Sequence, residues 1–134
     1  MLKDLPANVV KDIAIAVVKE TEETGEIVWR VYLLNLKKEK ICQVLISSKG
    51  YGDYEGRKVT TTVLRHALGD VMPLSFVKVE AIIDKLFGLS NEYWISFSLG
   101  GVMYDKKYVF LPESIIEKNL VQIPLIGKMG VIIK

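Results

Sequence analysis

Apolar and polar positions alternate with a period of two over several short stretches of the chain, the spacing of extended strands rather than helices. In Val9–Glu20, Ile13, Ile15 and Val17 fall on one face and Ala14, Ala16 and Val18 on the other. Thr21-Glu22-Glu23-Thr24-Gly25 breaks the run. Glu26–Leu36 resumes it, with Ile27, Trp29, Val31 and Leu33 on one side and Arg30 among Val28, Tyr32 and Leu34 on the other. Bulk on both faces predicts a central strand or a contact surface. Asn35 to Lys40 reads as a polar turn, its lysines 37, 38 and 40 interrupted by Glu39. Ile41–Ser48 then sets Cys42, Val44 and Ile46 on one face.

Tyr51-Gly52-Asp53-Tyr54-Glu55-Gly56 reads as a glycine-bracketed loop. The β-branched run Val59-Thr60-Thr61-Thr62-Val63 favours strand over helix for Val59–Leu68, and Met72-Pro73 ends it. Ser75–Ile83 alternates, predicting Val77, Val79, Ala81 and Ile83 inward and Lys78 and Glu80 outward. Asp84 to Asn91 reads as a loop with one helical turn over a core edge. Glu92–Leu99 and Val102–Phe110 flank Gly100-Gly101, the strongest hairpin signal, and its register sets Phe97 opposite Tyr104 and Trp94 opposite Lys107. Pro112-Glu113-Ser114 predicts the start of a short helix, and Leu120 to Lys134 an extended tail.

About seven strands with short connections and no βαβ rhythm predict a mainly β chain: an antiparallel sandwich, immunoglobulin-like by preference, or a partly open barrel, with one or two short helices. With 134 residues the expectation is one β domain over 1–134, of which 120–134 form the tail. The tail is rich in Leu, Ile and Val. It either pairs with its own sheet or adds as a strand to a neighbour's edge, which would make a homo-oligomer.

Composition narrows the function more than it names it. The formal net charge is +2, which gives no basic stripe for duplex nucleic acid. The single cysteine, Cys42, allows no internal disulfide and no multi-thiolate metal site. Met-Leu-Lys-Asp-Leu-Pro shows no charged region leading into an apolar run, and no stretch is apolar enough to span a bilayer, so a cytoplasmic protein is expected. A nucleophile elbow, a P-loop, H-E-x-x-H and C-x-x-C are all absent. The only histidine, His66, would have to serve any imidazole chemistry alone. No catalytic, cofactor-binding or metal-binding residue is therefore assigned, and no enzyme is expected.

Trp29-Arg30-Val31-Tyr32-Leu33-Leu34-Asn35, Ser47-Ser48-Lys49-Gly50-Tyr51-Gly52, Gly88-Leu89-Ser90-Asn91-Glu92-Tyr93-Trp94 and Tyr104-Asp105-Lys106-Lys107-Tyr108-Val109-Phe110 resemble a family of small bacterial proteins with no established activity. The resemblance implies no functional residues. The expectation is a protein-binding or assembly module acting through a sheet face, a sheet edge or the C-terminal strand, with an unidentified protein as partner. Tyr51, Asp53, Tyr54, Trp94 and Lys107 form its candidate surface, because aromatic side chains give rigid contact area at small entropic cost. Two alternatives are a small-ligand site lined by Trp29, Tyr32 or Trp94, and single-stranded nucleic-acid binding with Tyr51, Tyr54 and Trp94 beside Lys49, Arg57 and Lys107.

Overall fold

The alternating stretches become strands: β1 (Ile13–Thr21), β2 (Ile27–Asn35), β3 (Ile41–Tyr54), β4 (Arg57–Thr60), β5 (Leu64–Val71), β6 (Ser75–Ile82), β7 (Ser90–Leu99), β8 (Val102–Phe110), β9 (Val121–Gln122) and β10 (Met129–Ile133). The computed structural model describes residues 8–134, so the leader reading made on residues 1–6 lies outside them. Sheet I runs β6-β2-β1-β10-β9. Sheet II runs β4-β3-β7-β8, with β5 also paired to β3. The long β3 carries β5 along Ile41–Ser48 and β4 along Tyr51–Tyr54 on one side, and β7 on the other. All pairings are antiparallel, and the sheets stay open as a two-layered β-sandwich rather than closing into a barrel.

Burial follows from the pleat. Ile13, Ile15 and Val17 of β1 and Val31 and Leu33 of β2 face Ile46, Tyr93, Ile95, Phe97, Tyr108 and Phe110 of sheet II across the main core. Ala14, Ala16 and Val18 turn the opposite way into a second cluster with Leu34 and Ile123. The bulk on both faces of β1 thus marks a central strand whose two surfaces are both covered. The Tyr108 hydroxyl, deep in the core, donates to the Ile13 carbonyl at 2.7 Å, tying the sheets together.

The Gly100-Gly101 hairpin forms as expected, with φ of 59° and 77°, and pairs Phe97 with Tyr104 and Trp94 with Lys107. The segment from Tyr51 to Gly56 departs from its reading as a loop. Tyr51 to Tyr54 continue β3, and the turn is only Glu55-Gly56, at φ of 51° and 80°. That is a second hairpin in which both central residues sit left-handed, signalled by a single glycine. Val59–Leu68 is extended, as favoured, but broken at residues 61–63 between β4 and β5.

Two bulges correct the faces read from alternation. The register of β3 shifts between Ile41 and Val44, and Gln43 has φ of 52°. Ile41 and Val44 therefore face the core, while Cys42 is half-buried. In β6 the register against β2 slips at Val79: Tyr32 pairs with Lys78 but Val31 with Glu80. One extra residue reverses every side chain beyond it. Glu80 and Ile82 turn inward, and Ala81 and Ile83 outward.

Asp84–Gly88 is a 3-10 helix that lays Phe87 over the core edge. Pro112-Glu113-Ser114 forms a turn instead of opening a helix, because Glu113 is left-handed at φ 62°; the helical residues are Glu117–Asn119. The tail pairs with its own sheet. β10 lies antiparallel to β1, and the chain between β9 and β10 carries Ile123 onto Ala14, Ala16 and Val18. Gly130 makes this possible: a Cβ there would strike the Val17 carbonyl oxygen and Val18 Cα.

Candidate functional site

The outer face of sheet II is built from residues that strand pairing places side by side. Along one row Arg65, Ser47, Trp94 and Lys107 are successive partners; along the next, Ala67, Leu45, Ser96 and Asp105. Partners in adjacent strands project to the same side. Leu45 is 54% exposed and Trp94 46%, although neighbouring Ile46 and Ile95 are buried. With Ser47, Arg65 and Ala67 they line a shallow groove of about 410 Å3. Lys107 Nζ sits 5.7 Å from the Trp94 ring centroid, a cation–π contact that follows from the hairpin register.

A third row runs through Lys49, Glu92 and Val109. Glu92 is nearly covered there: the Tyr51 hydroxyl donates to its carboxylate at 3.4 Å, and Lys49 and Lys107 stand 3.9 and 4.0 Å away. Lys49 also lies 5.8 Å from the Tyr51 ring. Burial, followed by the Glu92 charge, holds the Tyr51 phenol above its ordinary pKa, so it remains a donor. Arg65 enters no ion pair among the described residues, and the pairs of Lys49 and Lys107 are long. The face therefore presents Arg65 and two loosely held lysines around an apolar centre, with the exposed Asp105 carboxylate at the β8 end of the second row.

Of the five residues proposed from sequence, Tyr51, Trp94 and Lys107 share this face. Asp53 and Tyr54 lie further out, opposite Lys58 and Arg57 in the β3–β4 hairpin. Leu45, Arg65 and Ala67 were missed. Their signal was available only in part: Leu45 is the one large apolar residue among Gln43, Ser47 and Lys49 at alternate positions, but its neighbours come from strands that pair at long range. Trp29 and Tyr32, the other residues of the small-ligand reading, do not join Trp94. Trp29 packs edge-on against Phe87 at 5.2 Å, and Tyr32 lies on the opposite outer face, bonded to Glu20.

Inside the sandwich the β6 bulge assembles a second polar group. Glu80 of sheet I accepts from Ser48 Oγ at 2.8 Å and from Tyr93 Oη at 3.3 Å, and His66 Nε2 lies 2.7 Å from its Oε1. Ser48, Tyr93 and His66 all belong to sheet II, so one carboxylate ties three strands of the facing layer. Serine and histidine meet the same oxygen rather than each other, which is not the arrangement of a serine nucleophile with its base. Burial, then the Glu80 charge, pushes the Tyr93 phenol far up. Among the described residues no group of three His, Cys, Asp or Glu side chains could hold a metal ion, and no helix is long and apolar enough to cross a membrane. No protein-family model, curated protein or solved structure matches the chain.

Proposed function

We propose that this domain is a binding module that engages an extended, acidic segment of another protein on the outer face of sheet II. The observation that carries the reading is the half-exposed Trp94, set beside Leu45 and Ala67 and rimmed by Arg65, Lys107 and the serines 47 and 96. An aromatic anchor in an apolar centre with a polar rim is the anatomy of a protein-binding surface. The cations favour carboxylates in the partner, because Arg65 is left with donors to offer and Lys107 is loosely held. Docking at the β8 edge has less support, since Asp105, Lys106 and Lys107 charge that strand. Assembly through the tail also has less support, because its strand is engaged with β1 of the same chain. A cytoplasmic setting and an immunoglobulin-like classification belong to this proposal too. The first draws on the lone, half-buried Cys42, the second on the two packed antiparallel sheets.

Selection of random dodecapeptides on the wild-type domain, with the Trp94→Ala domain as control, tests the reading. Enriched peptides are expected to pair Asp or Glu with an aromatic residue or leucine, and to lose affinity about tenfold or more for Trp94→Ala. Peptides that bind both domains equally would refute it. A second reading, single-stranded nucleic acid, is favoured by one observation: Trp94, Tyr51, Lys49 and Lys107 share the face. Steeply salt-dependent binding of oligothymidylate, weakened by Trp94→Ala, would select it over the peptide reading.

A further inference from the structure

Beyond the outer face, the Glu80 group borders a cavity of about 340 Å3 at the corner where β3, β5 and β6 meet. Its polar floor is Glu80, Ser48 and Tyr93, and Leu64, Ile82 and Leu86 form an apolar wall; Thr61, Thr62 and Asn91 also border it, as does Lys49, whose ammonium lies toward Glu92 and Tyr51. The volume is at the lower end of small-molecule sites, and an apolar wall with a few convergent polar groups is their usual lining. Gly50 borders it at a point too tight for a side chain, since a Cβ there would press on Thr61 and Asn91 at 3.2 and 3.3 Å.

The charge on the floor decides what could enter. The Glu80 side chain is only 14% exposed, and His66 is its one basic partner among the described residues. Its other partners, Ser48 and Tyr93, are neutral hydroxyls. Withdrawing a carboxylate from water is costly without a counter-charge. A carboxylate also offers about four acceptor positions, and Oε1 takes two donors while Oε2 takes only Tyr93. An acceptor position therefore remains on a nearly buried anion beside an apolar wall. A divalent metal ion would want more than one charged oxygen ligand, and Glu80 is the single acidic residue among those lining the cavity. A neutral donor would bring no charge of its own to a carboxylate so placed.

We propose that this cavity binds a small organic ammonium ion, with Glu80 as its counter-ion and acceptor and Leu64, Ile82 and Leu86 enclosing its hydrocarbon part. The site is independent of the outer face, which lies on the other side of sheet II. Titration of the full chain with n-butylammonium chloride and, separately, with n-butanol, followed by amide NMR, tests it. The ammonium is expected to shift Ser48, Gly50, Leu64, Glu80 and Leu86 saturably, the alcohol to bind about tenfold more weakly, and Glu80→Gln to abolish the difference. Equal binding of amine and alcohol, or shifts confined to exposed carboxylates, would overturn the proposal. Should Glu80→Gln fail to fold, Leu64→Trp fills the mouth from its exposed rim while sparing the Glu80 bonds. Loss of ammonium binding in Leu64→Trp supports the site, and unchanged binding overturns it.

Discussion

On the outer face of sheet I, Ala14, Ala16 and Val18 lie beneath Ile123, all of them buried, and Lys128 reaches the Glu20 carboxylate at 2.5 Å. On the outer face of sheet II, Leu45 and Trp94 are about half exposed, and among the described residues no segment of the chain covers them. Both faces arise from the same alternation, so hydrophobicity alone does not say which will be covered. Side-chain size does. Two alanines and Gly130 leave a depression that admits a plug from the chain itself, whereas a tryptophan flanked by Arg65 and Lys107 fills its own surface and keeps its rim in water. One face is built to close, the other to present.

The comparison breaks most visibly at the tail. A chain ending at Asn119 loses β9, β10 and Ile123, uncovering the edge of β1 and its small-residue face. It is expected to lose its cooperative thermal transition and to aggregate, read by circular dichroism and sedimentation. Ile123→Ala keeps the strands and removes only the plug, at an expected cost of about 2–5 kcal/mol in denaturant unfolding. A loss below about 0.5 kcal/mol would mean that this face is not held by its cover.

A smaller effect is expected from pH. Burial alone would raise the Glu20 carboxyl, but hydrogen bonds from Lys128, Tyr32 and Arg30 outweigh it and hold the group below its ordinary value of 4.5. A lowered native pKa contributes stability that is present above 4.5 and is lost as pH falls from there through the native value. Tyr32 gives the opposite limb: burial and the bond to Glu20 push its phenol from 10.0 up to about 12, so its contribution is whole below pH 10 and lost as pH rises towards 12. Glu20→Gln should flatten the acid limb in urea midpoints measured from pH 3 to pH 7. An unchanged slope would remove Glu20 from the closure of the face.

The smallest effect on stability should come from the open face. Trp94→Ala is expected to change unfolding free energy by no more than about 0.5 kcal/mol beyond its contact with Lys107, because the ring already stands half in water. If Trp94→Ala destabilises as much as Ile123→Ala, the tryptophan is part of the framework and its face is not a free surface.

Much of the strand content was legible because the period of two is local: each residue reports its face through its neighbours, as Ile13 to Val18 and the Gly100-Gly101 hairpin show. The errors fall where one backbone step breaks the period. Nothing in Ser75-Phe76-Val77-Lys78-Val79-Glu80 marks Val79 as a bulge, and so Glu80 was read as solvent-facing and the Glu80–His66–Ser48–Tyr93 group went unseen. Gln43 and Glu55 adopt positive φ without being glycine, which hid a bulge and a hairpin turn. The candidate surface was half legible for a related reason. Trp94 and Lys107 sit in one hairpin, but Leu45 and Arg65 reach them only through β3–β7 and β3–β5 pairing.

The residue pattern alone required that extended segments dominate, that Glu26–Leu36 carry bulk on both faces, and that the apolar tail be covered. These follow from burial, which each segment demands wherever it lies. The tertiary structure alone decided sheet order, the inward turn of Glu80, and which apolar face stays open. Those outcomes depend on hydrogen-bonded register between strands distant in the chain, and a register shift of one residue exchanges inside for outside at almost no local cost.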